Sequence, residues 1–190
     1  MFGAKAQVNE ELLLVERAAR NTADFLALYD RYFARIYTYF RYRFDDPALC
    51  DDLCAQTFMQ ALEHIGQFAP QQGPFVAWLF GIARNLANRQ LRRQRRFPHL
   101  PLEALRGAPG SEPSPEAHSE ARDQRRRIAR AMQALSPQQR DLLALKFSAQ
   151  LNNRQIAALT GLSEQNVAVI VFRAIRSLRQ ELQDQEAPDA

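Results

Sequence analysis

The chain has 190 residues and a net charge of +4, with 25 lysines and arginines against 21 aspartates and glutamates. That length makes one large or two small domains, and a hydrophobic content of 46% is enough to fill real cores. No apolar run is long enough to span a bilayer, residues 1–16 lack the pattern of a secretory signal, and Cys50 and Cys54 alone make no disulfide framework. A pI near 9.4 favours an anionic partner. The expectation is a soluble, cytoplasmic, basic protein of two domains.

In chain order, the first clear element is an aromatic-rich helix. Phe25, Leu28, Tyr29, Tyr32, Phe33, Ile36, Tyr37 and Phe40 recur at three- and four-residue steps, which lines them along one face. Asp46-Pro47 ends that helix or opens the next. Leu49, Leu53, Phe58, Leu62 and Ile65 make a second stripe that closes near Gly66. After a loop from Gln67 to Gly73, Pro74 suits a first helical position. A third helix then carries Phe75, Trp78, Leu79, Ile82, Leu86 and Leu91 into an arginine run.

Between Phe97 and about Glu116 the periodicity breaks. Pro98, Pro101, Pro109, Pro113 and Pro115, with Gly107 and Gly110, oppose a continuous helix. A solvated, partly acidic spacer is the simple reading, and a segment that threads a partner's groove is the functional one. Helical pattern resumes around His118 and runs through Ile128, Met132 and Leu135 to Ser136-Pro137, which looks like an N-cap with proline behind it. Leu142, Leu143, Leu145 and Phe147 follow on one helix. A short helix from Asn153 to Thr160, a turn at Gly161 and a helix capped by Ser163 then make a helix-turn-helix pattern. An ordinary helical hairpin would read similarly.

At about 100° per residue, Val167, Val171, Ala174 and Leu178 of the last helix fall together as core. Gln165, Val169, Phe172, Arg173 and Arg176 fall opposite, with Asn166 beside Gln165. Gln165 suits an adenine edge, Arg173 and Arg176 suit phosphates or guanine, and Val169 suits a thymine methyl. Arg154 is a candidate phosphate anchor. On the third helix, Arg84, Arg89, Arg92, Arg93, Arg95 and Arg96 supply a basic surface for a nucleic-acid backbone, and Asn85 and Asn88 can bond base edges. An arginine run is also what a solvated helix end looks like. Trp78, Phe75 and the tyrosine stripe suit packed core better than stacking platforms, which leaves Phe68 as the aromatic expected near DNA.

Two stretches resemble the sigma-70 family of transcription factors, in its small extracytoplasmic-function (ECF) type. Leu28-Tyr29-Asp30-Arg31-Tyr32, Asp52-Leu53 with Phe58, and Phe75-Val76-Ala77-Trp78-Leu79 with Ile82-Ala83-Arg84-Asn85 look like its region two. Ala134 to Arg140, Gln155-Ile156-Ala157, Gly161-Leu162-Ser163, Val167 and Arg173-Ala174 look like its region four. The resemblance implies an all-α chain of two helical domains on a flexible linker: region two over about 20–97, a linker over 98–119 and region four over 120–183. Region two would dock Asp52, Leu53, Gln56 and Phe58 on the clamp helices of the polymerase largest subunit. It would also hold melted minus-ten DNA at the 67–73 loop and around Asn85 and Asn88. Region four would sit on the polymerase flap and read the minus-thirty-five element. An anti-sigma factor is a further partner that the resemblance implies.

The chain departs from that family in places. Ala55 and Gln56 stand where a glutamine and a glutamate are usual, Arg89 replaces a frequent aspartate, and Ala168, Val169 and Ile170 replace polar residues. A stand-alone helix-turn-helix regulator, or a sigma-like adaptor that binds regulators, therefore stays open as an alternative. No phosphate loop and no catalytic constellation is evident, so no enzyme, cofactor or membrane insertion is expected. Cys50, Cys54 and His64 lack the fourth ligand that zinc would need.

Overall fold

A computed structural model describes residues 2–96, 127–128 and 130–184, and among them there is no strand. The expected all-α class holds. The spacer expected over 98–119, the first residues expected of region four and the chain's last six residues lie outside the described residues.

The first module has four helices. α1 (Phe2–Arg20) packs on α2 (Thr22–Arg43); α3 (Pro47–His64) lies on α2 and on α4 (Phe75–Arg96). Local chemistry sets their starts. The Asn21 side chain accepts from the Ala23 amide at 3.1 Å, and Asp46 accepts from Ala48 and Leu49 at 3.0 and 3.2 Å ahead of Pro47. Asp46 thus opens α3. Two short 3-10 turns, Ile65–Gln67 and Pro70–Gln72, carry the chain to Pro74, whose carbonyl accepts from Ala77 and Trp78.

Helix α1 was not read from the sequence. Its Leu14, Val15 and Ala18 are buried, and Glu11 accepts a hydrogen bond from the Tyr32 hydroxyl.

The second module has helical residues 130–133, then α5 (Pro137–Phe147), α6 (Asn153–Thr160) and α7 (Glu164–Asp184). Ser136 and Asn152 each form a reciprocal capping box, with Gln139 and Gln155 respectively. Gly161 sits at φ 75°, a left-handed conformation that costs a glycine little, and ends α6. Ser163 accepts from the Asn166 amide at 3.2 Å and caps α7. Val167, Val171 and Ala174 turn into the core while Leu178 is half-buried.

The two modules are packed together. One apolar cluster runs through both, and α5 lies along α2. Their contact holds the least expected feature of the molecule, a charged network whose centre, Arg43 and Asp141, is buried.

Candidate nucleic-acid interface

Three groups of the residues expected to face nucleic acid lie on the surface. At the end of α4, Arg89, Arg92, Arg93, Arg95 and Arg96 surround one shallow depression. All five are exposed, as is Asn85 one turn before Arg89. So dense a set of guanidinium groups repels itself unless an anion lies across it.

The loop from Gln67 to Gly73 forms one wall of a cleft of about 640 Å³, and α6 forms the other. Phe68, Pro70, Trp78, Arg154 and Gln155 line it. Phe68 is half-buried, with its ring edge-on to Phe75 at 5.5 Å and tilted against Trp78 at 5.8 Å. The loop therefore carries an aromatic anchored from below, with one face of the cluster open. Trp78 is neither fully core nor free.

On α7, Gln165, Asn166, Val169, Phe172, Arg173 and Arg176 are all exposed. Phe172 is 68% exposed, too much for a residue with a packing role. Arg154, on α6, is exposed as well. The helix-turn-helix thus presents a mixed apolar and basic face, its amphipathic spacing having put the aliphatic residues of the opposite face into the core.

Other expected site residues are placed differently. Leu53 and Phe58 are interior: Phe58 packs against Tyr29 at 4.7 Å and Phe25 at 6.4 Å. A buried side chain offers no docking surface, so of the four residues expected to meet the polymerase only Asp52 and Gln56 are exposed. Exposed Met59 borders an apolar groove with Phe25, Tyr29, Phe33 and Leu62 on the same side.

Arg84 and Asn88 are also not free. The Asp141 carboxylate of α5 projects onto α2 and α4. Its Oδ1 accepts from the Tyr39 hydroxyl at 2.9 Å and from Arg43 Nη1 at 2.7 Å, and its Oδ2 accepts from Arg84 Nε at 2.8 Å. Arg43 Nη1 also donates to the Tyr39 hydroxyl at 2.6 Å, and its Nη2 donates to Asn88 Oδ1 at 2.8 Å. Arg84 Nη1 reaches the Leu159 carbonyl of α6 at 2.9 Å. Arg43 and Asp141 are both buried, and Tyr39 is wholly so. Burial raises the Tyr39 hydroxyl far above the usual phenol range, which keeps it a donor.

A second arginine bridges the modules nearby. Arg35 donates to the Ser148 and Ala149 carbonyls at 3.0 and 2.7 Å, where α5 ends, and lies 5.1 Å from the centre of the Tyr32 ring. A cation at a helix C-terminus meets the partial negative charge of unpaired carbonyls.

Sequence reasoning missed Tyr39, Arg43, Asp141 and Arg35. Arg43 follows Tyr32, Ile36 and Tyr39 at helical steps, so a charge in an apolar stripe was the available signal.

Cys50 and Cys54 are buried free thiols. Among the described residues, no group of three histidine, cysteine or carboxylate side chains could hold a metal, and no helix is long and apolar enough to cross a membrane.

Comparisons with known proteins agree on one family. The sigma-70 region 2 model matches residues 28–97, and the sigma-70 region 4 model matches residues 125–178. The chain is 34% identical over 172 residues to the ECF RNA polymerase sigma factor BldN of Streptomyces coelicolor, which covers 90% of this chain and 65% of that protein. It is 29% identical to the ECF RNA polymerase sigma factor SigL of Mycobacterium tuberculosis, over 88% of this chain and 93% of SigL. The chain thus spans just under two thirds of the length of BldN and nearly all of SigL. Its fold is similar to that of the sigma factor RpoE of Bartonella quintana, solved in complex with the anti-sigma factor NepR. The TM-score is 0.65 at 22% identity, covering 84% of this chain and 97% of that one.

Proposed function

Since the chain belongs to the sigma-70 family, in its ECF group, we propose that it is a promoter-specificity subunit of bacterial RNA polymerase. The observation that carries this is the pairing, in order on one chain, of two unlike family regions, each with exposed arginines of its own. A stand-alone regulator would have no use for the first of them.

Region two docks on the clamp helices of the polymerase largest subunit through the α3 side of the module, where Asp52 and Gln56 are exposed. The melted strand runs along α4, with its backbone on Arg89, Arg92 and Arg93 and a displaced base at the Phe68 loop. Stacking on a fixed aromatic and neutralising phosphates with arginine are the two terms that hold single strands. Region four sits on the flap and lays α7 in the major groove, with Gln165 and Arg173 at base edges and Arg154 and Arg176 at phosphates. Val169 and Phe172 make apolar contacts in a groove where thymine methyls are the only apolar groups. The polymerase performs the chemistry, so the chain is not itself an enzyme, needs no cofactor, and works in the cytoplasm. An anti-sigma factor that holds the modules closed is the regulatory partner this fold suggests, since RpoE of the same fold is solved with one.

The test is transcription by purified core polymerase with this protein on a genomic fragment library, with start sites mapped. Starts that share an upstream and a downstream motif are expected. Replacing Asn85, the exposed asparagine of the pair, with alanine should then impair opening at the downstream element while leaving core binding intact. Absence of any protein-dependent start, with folded protein and active core, would overturn the proposal.

A further inference from the structure

We propose that Tyr39, Arg43 and Arg84 form a binding site for a nucleic-acid backbone phosphate, and that Asp141 occupies it as an internal mimic while the modules are closed. The charge balance leads there first. Two guanidinium groups converge on one carboxylate, so the network carries a net positive charge even when filled. Once α5 departs, the first module is left with two converged cations and a hydroxyl donor, and no anion among them. Opening exposes these converged cations to solvent, where their shared positive potential favours an incoming anion.

The geometry specifies what kind. Asp141 presents two oxygens to three donors on α2 and α4: Tyr39 and Arg43 at one oxygen, Arg84 at the other. A phosphodiester also presents two unesterified oxygens and one negative charge. Arginine forks bind both groups in the same way. In this cradle Arg43 is held from the first module's own side, because its Nη2 donates to Asn88 Oδ1 at 2.8 Å independently of Asp141. The hydrogen bonds of Arg84 go instead to the second module, so Arg84 is the arm that opening releases.

The position specifies the source. Arg84, Asn88 and Arg92 stand at successive four-residue steps on α4, so they share one face of that helix. The cradle is therefore the upstream end of the same strip whose downstream end is the exposed arginine group. One strand laid along α4 would meet both. A single small anion would need only one of them, whereas a polymer's repeated phosphates match the strip. The inference rests on the nucleic-acid reading of α4 and adds that closure and strand binding compete for the same atoms.

The experiment needs no polymerase, so its failure is separate from failure of the sigma assignment. Anisotropy of a fluorescein-labelled oligothymidylate is measured with the full chain and with its Asp141→Ala variant, alongside small-angle scattering. The variant should expand and bind about ten-fold more tightly or better, since closure holds the competent form at a small fraction. Adding Arg43→Ala or Arg84→Ala to Asp141→Ala should remove most of that gain, while arginines beyond the cradle remain. If Asp141→Ala does not fold by circular dichroism, Asp141→Asn keeps the shape and should shift affinity in the same direction. In the unaltered chain, saturating oligothymidylate should enlarge the radius of gyration. An expanded variant with unchanged affinity, a gain that survives both arginine substitutions, or no expansion of the unaltered chain on binding would each overturn the proposal.

Discussion

Cys50 and Cys54 show how far burial alone sets reactivity. They stand one turn apart on α3, and desolvation raises the Cys50 thiol to about 11 and the Cys54 thiol to about 12, with Asp51 adding to the second. Both therefore stay protonated at neutral pH, and a thiol that is not ionised is a poor nucleophile and a poor metal ligand. Ellman's reagent should react with neither in the folded protein and with both after denaturation; rapid labelling of native protein would contradict this. The same shifts fix a pH dependence. Because the folded values are raised, the thiols' contribution to stability is fully present below the ordinary value of 9.0 and is lost as pH rises through about 12. Denaturant midpoints should fall over that range, and less steeply in a Cys50→Val, Cys54→Val double variant.

Helix α7 was the most legible element. Its apolar residues recur at one period, so the buried Val167, Val171 and Ala174 and the exposed Gln165, Val169, Phe172, Arg173 and Arg176 were separable from spacing alone. Helix α3 was not, for the opposite reason. Leu49, Cys50, Leu53, Cys54, Thr57, Phe58 and Ala61 are all buried, a broad face from which spacing could not tell which apolar residues remain for a partner. The cap at Ser136 and the turn at Gly161 were readable because their chemistry is local, whereas Asp46-Pro47 read only as a boundary that either ends one helix or opens the next. Gly161 offers a test at this scale. A Cβ there meets no atom within 4 Å, but the backbone is left-handed at φ 75°. Gly161→Ala should thus cost about 1–2 kcal/mol through conformation alone, read as a lower denaturant midpoint, and Gly161→Asn less. An unchanged midpoint for alanine would show that the turn relaxes.

At the scale of the whole molecule, the sequence offered two modules and no reason for them to touch. The contact depends on Arg43 meeting Asp141 across 98 positions of sequence, which no periodicity records. Arg84 looked like a DNA residue because it lies in a basic helix; in the closed chain it is spent on Asp141 and the Leu159 carbonyl. Breaking a buried pair by removing one partner is strongly destabilising, whereas exchanging one anion for another keeps the cations satisfied. Closure is therefore reversible by substitution of ligands rather than by simple exposure. The arrangement engages Arg84 and Asn88 in the middle of α4 while leaving its arginine end and the outer face of α7 in solvent, so a strand or groove can engage the outer surfaces before the modules part.

The most direct test of this account is the distance between the modules. Spin labels at Ala27→Cys on α2 and Gln180→Cys on α7, both exposed positions, avoid the unreactive buried thiols. Pulsed electron resonance should give one narrow distance in the free protein, replaced by a longer one when core polymerase and promoter DNA are added. A broad, already extended distribution in the free protein, or the same short distance in the transcription complex, would contradict it.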